Sequence, residues 1–205
     1  MNKKVTAIVL AAGQSRRMGQ PKMLLPWGET TVLGNVLVTL KSANIEDIVV
    51  VTGGARKQVE AITDGSARTV FNADYMQSEM LSSIQCGIRA IIPPPPSKTE
   101  KEAIGQAALI CLGDQPQVQV RSVQVILQEY ESTSAPLIVP SYQMRRGHPW
   151  LVSAELWTEI LEMKSPESTR DFLNRHAQEI KYINVDTPSI LADLDTPDEY
   201  LKSRP

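Results

Sequence analysis

Residues 5–26 read VTAIVLAAGQSRRMGQPKMLLP. The run over 5–10 is continuous, apolar and rich in β-branched residues, the pattern of a strand buried on both faces, as in a parallel sheet. Open α/β sheets bind ligands at the carboxyl ends of such strands, which is where residues 11–19 fall. Gly13 allows backbone conformations closed to other residues, and consecutive exposed N–H groups form a nest for anions. Arg16, Arg17 and Lys22 bring three positive charges within seven positions. The spacing is not that of a Walker A loop: five residues separate Gly13 from Gly19, and no Gly-Lys-Ser/Thr follows. Nor is it GxGxxG, which removes the main support for a hydride-transfer enzyme.

The rest of the chain alternates strands with helices. Residues 31–43 place Val32, Leu33, Val36, Leu37 and Leu40 on one helical face, with Thr30 or Thr31 as N-cap. Residues 47–52 (DIVVVT) read as a second buried strand, 56–63 as a short helix and 68–72 as a third strand. Residues 79–92 form a helix turning Leu81, Ile84, Ile88 and Ile91 inward, and PPPPSKTEKEAIGQ (93–106) reads as a solvated surface insertion with a stiff polyproline start. Then come a strand at 107–112, a helix at 122–131, a strand at 136–140 and a turn into a short strand over 141–152. Helices at 155–163 and 169–176 and a strand at 180–185 follow. Thr196, Pro197, Asp198 and Glu199 open a C-terminal helix with a cap, a first-position proline and first-turn acids. This order predicts a three-layer α/β fold with a largely parallel sheet.

Composition narrows the function. The chain has 205 residues, 42% hydrophobic and 21% charged, with a net charge of −2. No basic field exists to attract nucleic acid, so anion binding must be local. The first apolar run is too short to span a membrane, and charged residues stand where a signal peptide needs its cleavage site. Cys86 and Cys111 sit in apolar stretches and read as buried thiols of a cytoplasmic protein. Met18, Met23 and Met80 read as packing residues, and His176 as an exposed residue on a helix.

Gly113-Asp114-Gln115-Pro116 ends the strand at 107–112 and so lies at the same sheet edge as the cationic loop. A carboxylate there, facing a phosphate loop, is placed to hold Mg²⁺, which prefers a few carboxylates with waters and phosphate oxygens. Taken alone, GDxP is equally a turn.

At this point the residues carry a resemblance. LAAGQSRRMGQPKMLLP (10–26) is similar to the LAAGxSxRMGxxKxLLP signature of nucleotidyltransferases of the molybdenum cofactor type. GDQP (113–116) resembles that family's metal-binding GDxP. RRGHPWL (145–151) and DLDTPDEY (193–200) resemble the RGHP and DxDTPxDY motifs of its cytidylyltransferase branch. Met80, Ser82 and Ser83 match a central Met-x-Ser-Ser helix start, and Ala12 stands where the guanylyl branch tends to read LAGG. Two departures are the insertion at 93–96 and SPESTRDF (165–172), where relatives carry Gly-Asp-x-Gly-Ala-Arg and only Arg170 is retained.

The resemblance implies a Rossmann-like nucleotidyltransferase fold with a mostly parallel mixed sheet. It implies one domain over 1–205, with a nucleotide-binding half at about 1–118 and an acceptor-binding half at about 119–205. It further implies Mg²⁺-dependent transfer of CMP from CTP to the phosphate of molybdopterin, with release of pyrophosphate. A molybdoenzyme or its chaperone would then receive the product; no nucleic acid and no membrane is involved. In such a reaction a phosphomonoester attacks the α-phosphorus. Its second pKa is about 6, so it needs no general base, and the chain shows no Ser/His/Asp or Cys/His arrangement. The obstacle is repulsion: two like charges 4 Å apart cost about 1 kcal/mol in water and about 4 kcal/mol in a typical protein site. Catalysis is therefore positioning plus charge neutralisation.

The roles follow. Arg16, Arg17 and Lys22 neutralise the triphosphate and the leaving pyrophosphate. By resemblance, the backbone of Leu10, Ala11, Ala12 and Gly13 frames the base. Asp114 holds the metal, and Asp195 is either a second metal contact or a helix-start cap. Arg146, Gly147 and His148 approach the pterin or its phosphate. Asn72, Ser82 and Ser83 hydrogen-bond ligand groups or cap a helix. Two other readings stay open: the same chemistry with another triphosphate or another phosphorylated acceptor, such as a sugar or polyol phosphate, and a non-catalytic cofactor carrier.

Overall fold

The computed structural model describes residues 3–76, 80–92 and 106–205, with Arg16 described by its backbone alone. The chain opens with β1 (Lys4–Ala11), a two-residue hairpin of β2 (Pro26–Trp27) and β3 (Thr30–Thr31), and α1 (Val32–Ser42). Next come β4 (Ile48–Thr52), α2 (Arg56–Thr63), β5 (Arg68–Phe71), α3 (Met80–Ile91), β6 (Gln106–Leu112) and α4 (Val120–Thr133). The second half adds β7 (Leu137–Tyr142), β8 (Arg145–Arg146), β9 (Trp150–Ser153), α5 (Trp157–Glu162), α6 (Thr169–Arg175), β10 (Ile180–Asn184) and α7 (Pro197–Ser203). Thr31 caps α1 by accepting from the Gly34 N–H. Thr196 and Glu199 form a reciprocal capping box at α7, with Pro197 in the first turn. The insertion at 93–96 lies outside the described residues.

The main sheet runs in the order β10-β7-β9-β6-β1-β4-β5, with β8 paired to β7. β1 is central and parallel to both β4 and β6. β9 runs antiparallel to β6 and β7, and β10 runs parallel to β7. The predicted mostly parallel mixed sheet is therefore present. Sequence reading missed the β2–β3 hairpin and β8, because two-residue strands carry no periodicity.

The layering follows from the twofold alternation of side chains along a strand. Ala7, Val9 and Ala11 point into a core shared with Leu33, Leu37, Val59, Val123 and Ile126 of α1, α2 and α4. Ile8, Leu10 and Ala12 point into the opposite core, shared with Leu81, Ile84 and Ile88 of α3, Trp157 of α5 and Phe172 of α6. With both faces covered, every position from Ala7 to Ala11 is apolar and buried. Cys111 is buried as expected, whereas Cys86 is only half-buried; both thiols are free.

Two glycines allow close packing, Gly53 of backbone on backbone and Gly87 of the α3 backbone on strand side chains. A methyl on Gly53 would collide with Ala12, whose Cα would lie 2.8 Å away, and one on Gly87 would strike Ile8. Gly53→Ala should cost about 1–3 kcal/mol, the usual toll of overpacking with backbone displacement. The urea midpoint of unfolding measures it, and the strain falls on the stretch that follows β1.

Candidate functional site

The site begins where β1 ends. Its turn is made later than the sequence suggests: Gly13 keeps a φ outside the left-handed region, and Ser15 (φ 49°) and Gly19 (φ 70°) adopt it instead. The first 3₁₀ turn begins only after Ser15. Gly13 has open space in place of a side chain: among the described residues, none beyond its chain neighbours comes within 4 Å of where a Cβ would stand. From Ser15 the chain enters 3₁₀ turns at Arg16–Met18 and Lys22–Leu24, and the Ser15 hydroxyl accepts from the Lys22 N–H at 3.0 Å. The second of these turns faces a cleft of about 300 Å³ whose wall includes Leu10, Ala12, Gly13, Lys22, Ser83 and Asp114.

The charged groups converge there from three separate segments. The turn after β6 docks on β1 through the Gly113 N–H, which donates to Leu10 O at 3.0 Å, and this brings Asp114 against Lys22 in an ion pair. The segment before α7 brings Asp195, which lies 3.2 Å from Lys22 Nζ and 3.0 Å from an Arg17 guanidinium nitrogen. Thr196, not Asp195, is the cap of α7, so the carboxylate of Asp195 is left for the cations. A small apolar cluster of Met18, Leu25, Trp27, Val32, Leu194 and Tyr200 pins this segment down, and the Tyr200 hydroxyl donates to Pro26 O at 2.6 Å.

The electrostatics follow from crowding. Burial opposes the charge on Lys22, but the contacts with Asp114 and Asp195 outweigh it and hold the ammonium above its ordinary value. Burial likewise opposes the charge on Asp195, and the hydrogen bond and charge of Lys22, with Arg17, outweigh it and hold the carboxyl below 3.8. A depressed carboxyl stabilises the fold fully above its unfolded value, and the contribution is lost as pH falls through its folded value. The attachment of Asp195 should therefore hold down to about pH 4 and weaken below that. Asp195→Asn should lose less stability than the parent chain on acidification through this range, as denaturant midpoints measured against pH will show.

Other expected site residues lie elsewhere. Asn72 is buried; its Nδ2 donates to the Ser82 and Ser83 hydroxyls at 3.0 and 3.1 Å, and its Oδ1 accepts from the Asp74 N–H. Ser83 reaches the cleft wall, while Asn72 and Ser82 line an adjoining groove. Arg146 donates to the Tyr182 hydroxyl at 2.8 Å and to Asn174 at 3.2 Å, on the side of α6 and β10, and is not among the residues lining the cleft. Gly147 is packed against Ile190, where a methyl would clash. His148 donates its backbone N–H to Ile190 O. Its ring is half-buried with a sealed Nε2 that has no partner among the described residues, and burial pushes its pKa down to about 4, leaving a neutral imidazole. The side chain of Arg16 lies outside the described residues. His176, expected to be exposed, is instead half-buried: its ring lies tilted against Phe172, 4.8 Å between centroids, and bridges Glu159 and Glu179, because the apolar face of α6 carries it inward.

A family model for the MobA-like NTP transferase domain matches residues 7–180. The chain belongs to the MobA-like NTP transferases. It is 25% identical over 206 residues to the molybdenum cofactor cytidylyltransferase of Escherichia coli K12, across 98% of this chain and 95% of that protein. The crystal structure of Rv0371c from Mycobacterium tuberculosis H37Rv has a similar fold, with a TM-score of 0.81 and 25% identity over 98% of both chains. A structure of Rv0371C in complex with manganese matches with a TM-score of 0.73 and 26% identity over 97% of each.

This transferase is thus a nucleotidyltransferase with a three-layer α/β fold. Besides Met23 and Met80, expected as packing residues, and Leu112, the cleft wall holds two polar residues that sequence reasoning missed. Asp193 stands two positions before Asp195 in an extended segment, and that spacing is a signal that both face one way. Its carboxyl is raised, first by the protein crowding it and then by Asp114 and Asp195, against a hydrogen bond from Gln115. Tyr75 lies in an irregular loop and gives no sequence signal. Among the described residues, no helix is long and apolar enough to cross a membrane, and no group of three or more His, Cys, Asp or Glu is arranged to hold a metal by itself.

Proposed function

We propose that this transferase moves CMP from CTP to the phosphate of molybdopterin and releases pyrophosphate. The observation that carries the reading is the convergence of Lys22, Asp114 and Asp195 on the open floor at Leu10, Ala12 and Gly13, with Arg17 paired to Asp195 beside it. The floor has room for a base, and the cations have the charge for a triphosphate. Identity to the Escherichia coli enzyme over nearly the whole length favours CTP and molybdopterin. The half at about 1–118 then holds the nucleotide. The half at about 119–205 holds the acceptor, with Arg146, Gly147 and His148 on its side. Two free thiols suit a reducing cytoplasm, where a molybdoenzyme or its chaperone would take the product.

A divalent ion fits the donor set. Asp114 and Asp195 supply hard carboxylate oxygens at one point, and Mg²⁺ accepts such a pair when waters and phosphate oxygens complete its shell. Bound there, the ion would neutralise phosphate charge. The work of the chain itself is to bind and orient: Lys22 and Arg17 offset the charge of the leaving pyrophosphate, the β1 loop fixes the base, and no side chain has to take a proton.

The test is turnover with each of the four triphosphates, Mg²⁺ and molybdopterin, followed by pyrophosphate release. CTP should be used at least about tenfold better than GTP, the difference of one well-placed contact; equal or better use of GTP would overturn the nucleotide assignment. One observation favours a second reading, a different phosphorylated acceptor: Arg146 is engaged by Tyr182 and Asn174. Activity on a sugar or polyol phosphate, with none on molybdopterin, would establish it.

A further inference from the structure

We propose that Gln115 and Asp193 form a positioning clamp that sets the spacing of Asp114 and Asp195 across the mouth of the cleft, and through it the affinity for a metal–nucleotide complex. The proposal rests on the metal–triphosphate reading of that cleft. Asp114 and Gln115 are neighbours on the turn after β6. Asp193 and Asp195 flank Leu194, which is fully buried. In an extended segment, residues two apart point the same way, so with Leu194 driven into the core both acids reach the cleft wall.

Two links tie the β6 turn to this segment. One is ionic and indirect, from Asp114 through Lys22 to Asp195. The other is direct: Gln115 Nε2 donates to Asp193 Oδ1 at 2.8 Å. They respond differently to a ligand. A triphosphate competes for Lys22, and the ionic link loosens when it is most needed. The amide–carboxylate bond uses no cation of the cleft and persists.

Gln115 is 3% exposed, and its Oε1 is sealed from solvent with no partner among the described residues. A buried amide oxygen left unpaired is a cost to the fold, so packing alone would favour an apolar side chain of the same length. What the amide contributes is the charge-assisted bond from Nε2.

The experiment is direct Mn²⁺ binding in the presence of CTP, read by electron paramagnetic resonance, with thermal unfolding of each variant alongside. Gln115→Met should weaken Mn²⁺ binding about tenfold, the usual loss when a group behind a ligand is removed, with an unchanged or higher melting temperature. Asp193→Leu should behave the same way. Asp193→Asn should recover most of the binding lost in Asp193→Leu, because its amide oxygen accepts the same hydrogen bond without the charge. Loss in Asp193→Asn with full affinity in Gln115→Met would overturn the clamp, since Asp193 would then act as a charge. Parent-like binding in both Gln115→Met and Asp193→Leu would overturn it too. Failure of the parent chain to bind Mn²⁺ with CTP would instead overturn the underlying reading, and the clamp with it. Should Gln115→Met fail to fold, the contrast between Asp193→Asn and Asp193→Leu decides.

Discussion

Lys22→Met should lower turnover by about 10²–10³-fold, the loss expected when one preorganised charge at a reacting group is removed. Lys22 carries the only ammonium on the cleft wall among the described residues, and Asp114 and Asp195 both hold it. Its charge therefore sits preset where a triphosphate enters, with little rearrangement at the moment of reaction. Methionine keeps the length of the stem and removes the charge. It also leaves two carboxylates facing each other, a repulsion of about 1–4 kcal/mol between the limits of water and a typical protein site. Lys22 and Asp114 are largely shielded while Asp195 is more open, so the cost falls within that range, and circular dichroism should report an intact sheet. Lys22→Arg should recover part of the rate, since a planar fork replaces a compact charge. Parent-like turnover in Lys22→Met would remove the loop from the mechanism.

The second large effect is at Asp114. Asp114→Asn should keep the fold and lose about 10²–10³-fold in turnover, from the same kind of lost electrostatic preorganisation. The turn itself is held by the backbone, through the Gly113 N–H on Leu10 O, and asparagine preserves side-chain volume. What changes is charge: a neutral amide is a poor ligand for a hard divalent ion and no longer anchors Lys22. Raising the metal concentration should recover part of the loss, which separates weakened metal binding from a misplaced lysine. An unchanged rate would favour the cofactor-carrier reading.

The two acids differ in how far sequence could place them. Asp114 follows a buried strand, and strand ends in a parallel sheet share one edge, so its position opposite the loop was legible from periodicity alone. Asp195 was not. Local chemistry at Asp195-Thr196-Pro197 predicts a cap as readily as a ligand, and only the packing of Leu194 and Tyr200 against Trp27 and Leu25 turns the segment toward Lys22. Gly13 shows the same limit in reverse. Its presence signalled a loop, but the left-handed residues proved to be Ser15 and Gly19, because the path of the chain after β1 depends on what docks against it. For Arg146 and His148, the motif gave a neighbourhood without a direction; Tyr182, Asn174 and Ile190 hold them where they are.

By itself, then, the sequence determined the alternation of elements, the doubly buried central strand, the caps of α1 and α7, and the family of the transferase. These depend on periodicity, local hydrogen bonding and short motifs, all of which act over a few residues. The tertiary structure decided which charges meet, that Asp193 joins them, and that Gln115 reaches across to it. Those contacts join residues as many as 178 positions apart, and they are set by which apolar side chains fill the space between segments, a property of the folded core that no short stretch of chain carries.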